Sequence, residues 1–252
     1  MKTVKYAFLL LFGMMFINYY FAPTLTSVRT VRVSTEYSVG TGSIINDHQI
    51  LTNKHVMQGD FVATVSTKDG IVRHAYLDYE DPILDIAVLS ISDDFKFDKS
   101  RQVSLSCSVP YIVGSEYYTV GHTRDDPRWA YTNFNYTGAQ FSASILPEIG
   151  NNALMFDSAS TNTGNSGGGV FDVFGNHVGV VTAIYLNVPR EEGDTGPAIG
   201  LNYNIAISNK DVCLALKNAG IDFNRSFNQN DIFSWVDSFI RTTFYSIDQR
   251  IR

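Results

Sequence analysis

Between Val28 and Ala206 the chain is a succession of short segments rich in β-branched and aromatic residues, each closed by a turn signal. This punctuation constrains the fold more than any other feature. Segments of this kind read as strands, and a run of them argues for barrels rather than for a helical protein. The first half offers Val28–Val33, Ser38–Asn46, Gln49–Thr52, Phe61–Ser66, Ile71–Asp78 and Ile86–Ile91. A connection through Ser92–Pro110 leads to Glu116–Gly121, Ala130–Ser144, Ala153–Ser158, Gly168–Val173, His177–Leu186 and Ala198–Ala206. Lys68-Asp-Gly70 supplies one turn and Phe174-Gly-Asn176 another. Nineteen glycines and an aromatic content of 13% suit a β-rich chain with tight turns. A length of 252 residues permits one double-barrel domain with small extensions.

Two helices are expected after the strands. Asn209–Ala219 ends at Gly220, a favourable residue just past a helix end. Asn230–Ile251 carries Ile232, Trp235, Val236, Phe239, Ile240, Phe244, Ile247 and Ile251 near helical spacing. The stripe reads as packing against the barrels, with self-association and a membrane surface as the alternatives. Its polar face, with Asp231, Asp237, Arg241, Asp248 and Arg250, is not strongly basic.

Three segments carry chemistry. Ser166 sits among glycines in Thr163-Gly-Asn-Ser-Gly-Gly-Gly169, His55 lies in Leu51-Thr-Asn-Lys-His-Val56, and Asp85 lies in Asp81-Pro-Ile-Leu-Asp-Ile-Ala-Val-Leu89. A serine hydroxyl is a poor nucleophile at neutral pH and needs an adjacent base. Histidine suits that role, and a buried carboxylate holds the imidazole in the correct tautomer and stabilises the imidazolium that forms. The glycines let backbone N–H groups approach a reacting carbonyl, which makes the N–H groups of Gly164 and Ser166 the expected oxyanion hole. Each segment alone also has a plain reading, as a turn, a surface histidine or the start of a strand. Their coincidence in the order His, Asp, Ser carries the catalytic reading. Gly164-Asn-Ser-Gly-Gly168 also fits the Gly-x-Ser-x-Gly elbow of α/β-hydrolases, but the all-strand setting and the residue order argue against an esterase of that kind.

From Tyr37 to Asn209 the chain resembles the HtrA (Deg) branch of the trypsin-like serine peptidases. The resemblance is carried by Gly40–Val56 before the histidine, by Asp81-Pro-x-x-Asp85-Ile-Ala-Val-Leu, by Val113–Gly121 and by Asn162–Val170. Gly179-Val-Val-Thr-Ala-Ile184 and Gly200–Ile207 are similar to the strands that wall the family's substrate cleft. The resemblance implies an all-β, chymotrypsin-like fold of two six-stranded barrels with His55, Asp85 and Ser166 between them. It implies a serine endopeptidase that forms an acyl-enzyme on Ser166 and acts on protein or peptide substrates without a cofactor. It also places Ile184 and Tyr203 in the pocket for the residue before the cleaved bond, an apolar pocket suited to small and medium aliphatic side chains. A non-proteolytic binding or chaperone-like protein on the same barrels is the alternative. The stretch after Asn209 is too short for the PDZ domain that family members often carry, and Thr163 stands where the family often has a basic residue. Some trypsin-like enzymes staple the inter-barrel connection to the helix after the second barrel, so Cys107 and Cys213 read either as that bond or as two small buried hydrophobes.

The net charge of −6, without any run of Lys or Arg, argues against a nucleic-acid partner. No Cys/His cluster has metal-ligand spacing, so no metal is expected, and His48, His74, His122 and His177 read as surface or structural residues. Lys2 and Lys5 precede an uncharged, largely apolar run, Tyr6–Ala22, with Tyr19 and Tyr20 suited to a membrane interface. Residues 1–27 therefore read as a targeting segment, an uncleaved signal anchor in preference to a cleaved signal peptide. It predicts a cytoplasmic N-terminus and a peptidase domain, residues 28–208, that is membrane-anchored outside the cytoplasm or secreted. Residues 209–252 form the helical extension.

Overall fold

A computed structural model describes residues 22–91, 94–108, 111–123, 126–140, 147–157, 164–185 and 203–226. Its strands close into two six-stranded antiparallel barrels, the chymotrypsin-like fold. The first consists of β1 (Thr30–Ser34), β2 (Val39–Ile44), β3 (Gln49–Thr52), β4 (Val62–Thr67), β5 (Val72–Glu80) and β6 (Ala87–Ile91), joined in the order β1-β2-β3-β6-β5-β4. The second consists of β7 (Glu116–Thr123), β8 (Asp126–Gln140), β9 (Leu154–Asp157), β10 (Gly169–Asp172), β11 (His177–Tyr185) and β12 (Tyr203–Ser208), joined in the order β10-β11-β12-β9-β8-β7.

Alternation fills the barrels. In β1 the side chains of Val31 and Val33 are buried while Arg32 and Ser34 are partly exposed. With Ile44, Ile50, Val65 and Leu89 they build the first core. Phe156 centres the second core, with ring contacts to Phe134 at 4.6 Å and Tyr117 at 5.6 Å between centroids. A third cluster, including Leu51, Ile86, Val88, Tyr118, Val120, Phe171 and Val180, joins the barrels. Each such fully buried side chain contributes about 1.5–3 kcal/mol relative to exposure.

A single turn, α1 (Lys54–Met57), follows β3, and α2 (Asn209–Asn218) follows β12. Ser208 caps α2 by accepting the Lys210 N–H at 3.1 Å. The other end closes through Ile221 N–H to Leu216 O at 2.9 Å and Gly220 N–H to Lys217 O at 3.1 Å, as the glycine signal implied. Val212 and Leu216 enter the inter-barrel cluster. Cys213 on the same helix is disulfide-bonded to Cys107, with 5.8 Å between Cα atoms, which resolves the two readings of the cysteines.

The first strand begins at Thr30 rather than Val28, because residues 22–27 form a short helical stretch that ends in a turn closed by Arg29 N–H to Thr26 O. Ala22 is buried, and the Thr26 hydroxyl lies 2.8 Å from the Tyr118 hydroxyl of the second barrel. The last residues of the expected targeting segment thus pack on the barrels. Residues 1–21, the acidic loop 189–197, Asn162, Thr163 and the apolar stripe Ile232–Ile251 lie outside the described residues. Among the described residues no helix is long and apolar enough to cross a membrane.

Candidate active site

The first barrel supplies His55 and Asp85. β3 is buried along its whole length and ends in Thr52 and Asn53, both fully buried. Asn53 begins α1 with an extended backbone and spends its side chain elsewhere: Nδ2 donates to the Asp85 carbonyl at 2.7 Å. His55 is thereby held over Asp85. Its Nδ1 is 2.6 Å from Asp85 Oδ2, and its backbone N–H donates to Oδ1 at 2.9 Å. The Thr182 hydroxyl, on β11 of the second barrel, also donates to Oδ2. The neutral imidazole therefore keeps its proton on Nδ1 and presents the Nε2 lone pair outward. Asp85 is buried, whereas the His55 side chain is about half exposed and accessible to a substrate.

The segment before Asp85 is a tight turn. Asp81 Oδ1 accepts the N–H groups of Ile83 at 2.9 Å and Leu84 at 2.8 Å, and Oδ2 accepts the Tyr79 hydroxyl at 2.7 Å. Burial by itself would raise the Asp81 carboxyl. The bonds from Leu84, Ile83 and Tyr79 and the charge of Lys54 outweigh it and hold the group below its ordinary value. Burial and the same bond push the Tyr79 hydroxyl up to about 12.

The second barrel supplies Ser166. Its loop is sewn to β2, where Thr41 N–H donates to Ser166 O at 2.8 Å and the Thr41 hydroxyl to Gly164 O at 2.7 Å. It is sewn equally to β11, through Gly167 N–H to Val181 O and Val181 N–H to Gly168 O, both 2.8 Å. Gly167 has φ +81°, and a Cβ there would lie 2.3 Å from Thr41 O and 2.9 Å from the Asn53 nitrogen. The serine loop therefore abuts the start of the turn that carries His55. Gly164 has φ +112°, a conformation that favours glycine. Among the described residues, the Gly164 and Ser166 N–H groups and the Ser166 hydroxyl make no hydrogen bond to the protein.

His55 and Asp85 are thus in direct contact, and Ser166 with Gly164 is brought to the same edge through Thr41, Gly167 and Asn53. Among the described residues no hydrogen bond joins Ser166 Oγ to His55. Such bonds often tighten only when substrate arrives. Ile184 and Tyr203 fall on neighbouring strands, Ile184 opposite Asn204 and Tyr203 opposite Tyr185. Sequence reasoning missed Asn53, Thr41 and Thr182 as supports of the site. Thr182 was visible only as part of a strand expected to wall the cleft. His177 is fully buried with Nδ1 3.2 Å from Asn209 Oδ1, and burial lowers it to about 4 despite that bond.

Residues 40–180, which include all three candidate catalytic residues, match the trypsin-like peptidase domain family. The chain is 28% identical to the serine endoprotease DegS of Haemophilus influenzae, over 68% of this chain and 47% of that protein. It is 30% identical to a probable periplasmic serine endoprotease, DegP-like, of Rhizobium meliloti, over 65% of this chain and 30% of that protein. Among solved structures it is similar to the HtrA-type protease AlgW with a tripeptide, with a TM-score of 0.62 and 25% identity over 79% of this chain and 61% of that one. The chain spans less than half the length of these curated relatives.

Proposed function

The chain belongs to the trypsin-like peptidase family, and from that premise we propose that it is a serine endopeptidase whose nucleophile is Ser166. The observation that carries the reading is the buried Asp85 carboxylate bonded to His55 Nδ1 at 2.6 Å, which leaves Nε2 free to act as a base. In the reaction, Nε2 takes the Ser166 hydroxyl proton as Oγ attacks the scissile carbonyl. The developing oxyanion is stabilised by the Gly164 and Ser166 N–H groups. His55 then gives its proton to the leaving amine, which leaves an acyl-enzyme ester on Ser166. Water, deprotonated by the same nitrogen, hydrolyses the ester and restores the serine. Asp85 stabilises the imidazolium in both halves of the cycle.

Ile184 and Tyr203 line the pocket for the residue before the cleaved bond in this reading. An apolar pocket without a carboxylate disfavours Lys or Arg there, since an unpaired charge in an apolar site is costly. Substrates are proteins or peptides, in quality control or processing outside the cytoplasm. The compartment is supported by the Cys107–Cys213 disulfide, which persists in oxidising surroundings, and by Lys2 and Lys5 ahead of the apolar N-terminal run.

The test is labelling of the purified protein with a fluorophosphonate, followed by a casein digest. Wild type labels and digests, and Ser166→Ala does neither, with kcat lowered by about 10⁶-fold. Substantial hydrolysis by Ser166→Ala would sink the assignment. A peptide library reads the pocket, and efficient cleavage after Lys or Arg would refute the aliphatic preference.

A further inference from the structure

Asp85 stands at the end of a turn whose geometry follows from its first residue. Pro82 has no N–H and a restricted φ, so the first free backbone donors after Asp81 belong to Ile83 and Leu84. Of these two residues Leu84 is buried, so its N–H cannot be left unpaired without a cost. Asp81 Oδ1 accepts both, at 2.9 and 2.8 Å, and its own N–H donates to Ile86 O at 3.1 Å, across the base of the turn. The side chain of a short acidic residue is thus the template on which residues 81–86 fold.

Two further bonds reach outside the turn. The Tyr79 hydroxyl donates to Asp81 Oδ2 at 2.7 Å, from β5. Lys54 Nζ donates to the Asp81 carbonyl at 3.0 Å, from the residue directly before His55. Asp81 is itself buried. It therefore ties the turn bearing the carboxylate to the helix bearing the imidazole, while Asp85 N–H is tied to Glu148 O of the second barrel at 2.7 Å. A pair that works at 2.6 Å is sensitive to sub-ångström displacement of either partner.

We infer that Asp81, braced by Tyr79 and Lys54, is a positioning residue that sets the register of Asp85 against His55. The inference rests on the reading of His55 and Asp85 as the base and its orienting carboxylate. Asp81 touches no reacting atom and acts through the turn.

The test uses the full chain and four variants: Asp81→Ala, Asp81→Asn, Tyr79→Phe and Lys54→Met. Peptide kcat and KM, the melting temperature and the far-downfield NMR resonance of the His55 Nδ1 proton are measured for each. Asp81→Ala lowers kcat by about 10²-fold with KM unchanged, and shifts or broadens the resonance. Asp81→Asn keeps an oxygen acceptor for both N–H groups and restores most of kcat and the resonance, since Asn and Asp are equivalent as backbone caps. Tyr79→Phe and Lys54→Met each lower kcat by a smaller factor, again without change in KM. These two variants decide the matter if Asp81→Ala does not fold: wild-type kcat and resonance in both overturns the inference. So does a loss of kcat that tracks the melting temperature while the resonance stays put. Hydrolysis by Ser166→Ala would defeat the peptidase reading instead, and the resonance would still report whether Asp81 places Asp85 on His55.

Discussion

Asp85 receives three hydrogen bonds at its carboxylate, two from His55 and one from Thr182 on the opposite barrel. The threonine therefore works on the carboxylate as a donor from the far side of the cleft. Thr182→Val removes that donor at nearly constant volume and leaves Oδ2 one partner short. A bond to a charged group is worth about 1.5–3 kcal/mol, which corresponds to roughly a ten- to hundredfold loss in kcat. Thr182→Ser, which keeps the hydroxyl, retains activity, and equal turnover by the Val and Ser variants would remove Thr182 from the site. Asp85→Asn is more severe, on the order of 10⁴-fold, because the amide favours the wrong imidazole tautomer. Steady-state kinetics on one peptide rank all three. Sequence motifs marked His55, Asp85 and Ser166 as candidates because each sits in a local context a short stretch can display. They did not reveal Thr182, Thr41 or Asn53, whose partners are 97, 123 and 32 residues away along the chain. The contribution of such residues exists only once the barrels are closed.

The elements behind the site carry their own chemistry. β11 opens at His177, which is fully buried and sits against the first residue of α2, Asn209. Burial lowers the folded value from 6.5 to about 4, with the Asn209 bond opposing it. Below the unfolded value the unfolded chain binds a proton that the folded chain refuses, so stability falls as pH drops from 6.5 towards 4. The full effect is on the order of 3 kcal/mol. Urea unfolding at several pH values, for wild type and His177→Gln, measures it: the variant loses less stability on acidification, and parallel curves would refute the role. α2 is also stapled by Cys107–Cys213, across a separation of 106 residues. Replacing both cysteines with alanine lowers unfolding free energy by about 2–5 kcal/mol, read from denaturant midpoints. At this scale the strands were largely legible, because β-branched and aromatic alternation is a local signal: Gln49–Thr52 has the bounds expected and β6 differs at one end only. The start of β1 was not, because residues before Thr30 are claimed by contacts with Tyr118 in the other barrel. The disulfide stayed open in the sequence since pairing depends on distance in space.

For the whole molecule, the proposed activity would depend on how the two barrels are seated on each other, because each holds part of the candidate site. Thr41 is central to the seating: it bonds Ser166 O and Gly164 O, and its hydroxyl accepts the His122 N–H at 3.1 Å. Beside it, Gly40 keeps the seam narrow. A Cβ at Gly40 would lie 2.6 Å and 2.7 Å from the Val56 methyls and 2.9 Å from the Ser166 carbonyl oxygen. Val56 neighbours His55, so the added methyl would push at once on the turn carrying His55 and on the backbone of Ser166. The valine has little room to rotate because it is buried, and the Ser166 oxygen is backbone. The strain is therefore relieved by shifting one barrel edge from the other. Gly40→Ala lowers kcat by about 10²-fold for a stability cost of about 1–3 kcal/mol. The control is Phe61→Ser, at a side chain 75% exposed ahead of β4, which leaves kcat at its wild-type value. Adding Val56→Ala to Gly40→Ala clears the methyl contacts but not the Ser166 contact, so it recovers only part of the loss. Full recovery by the double variant would assign the effect to α1 alone, and wild-type turnover by Gly40→Ala would show that the seam tolerates a wider spacing than the geometry implies.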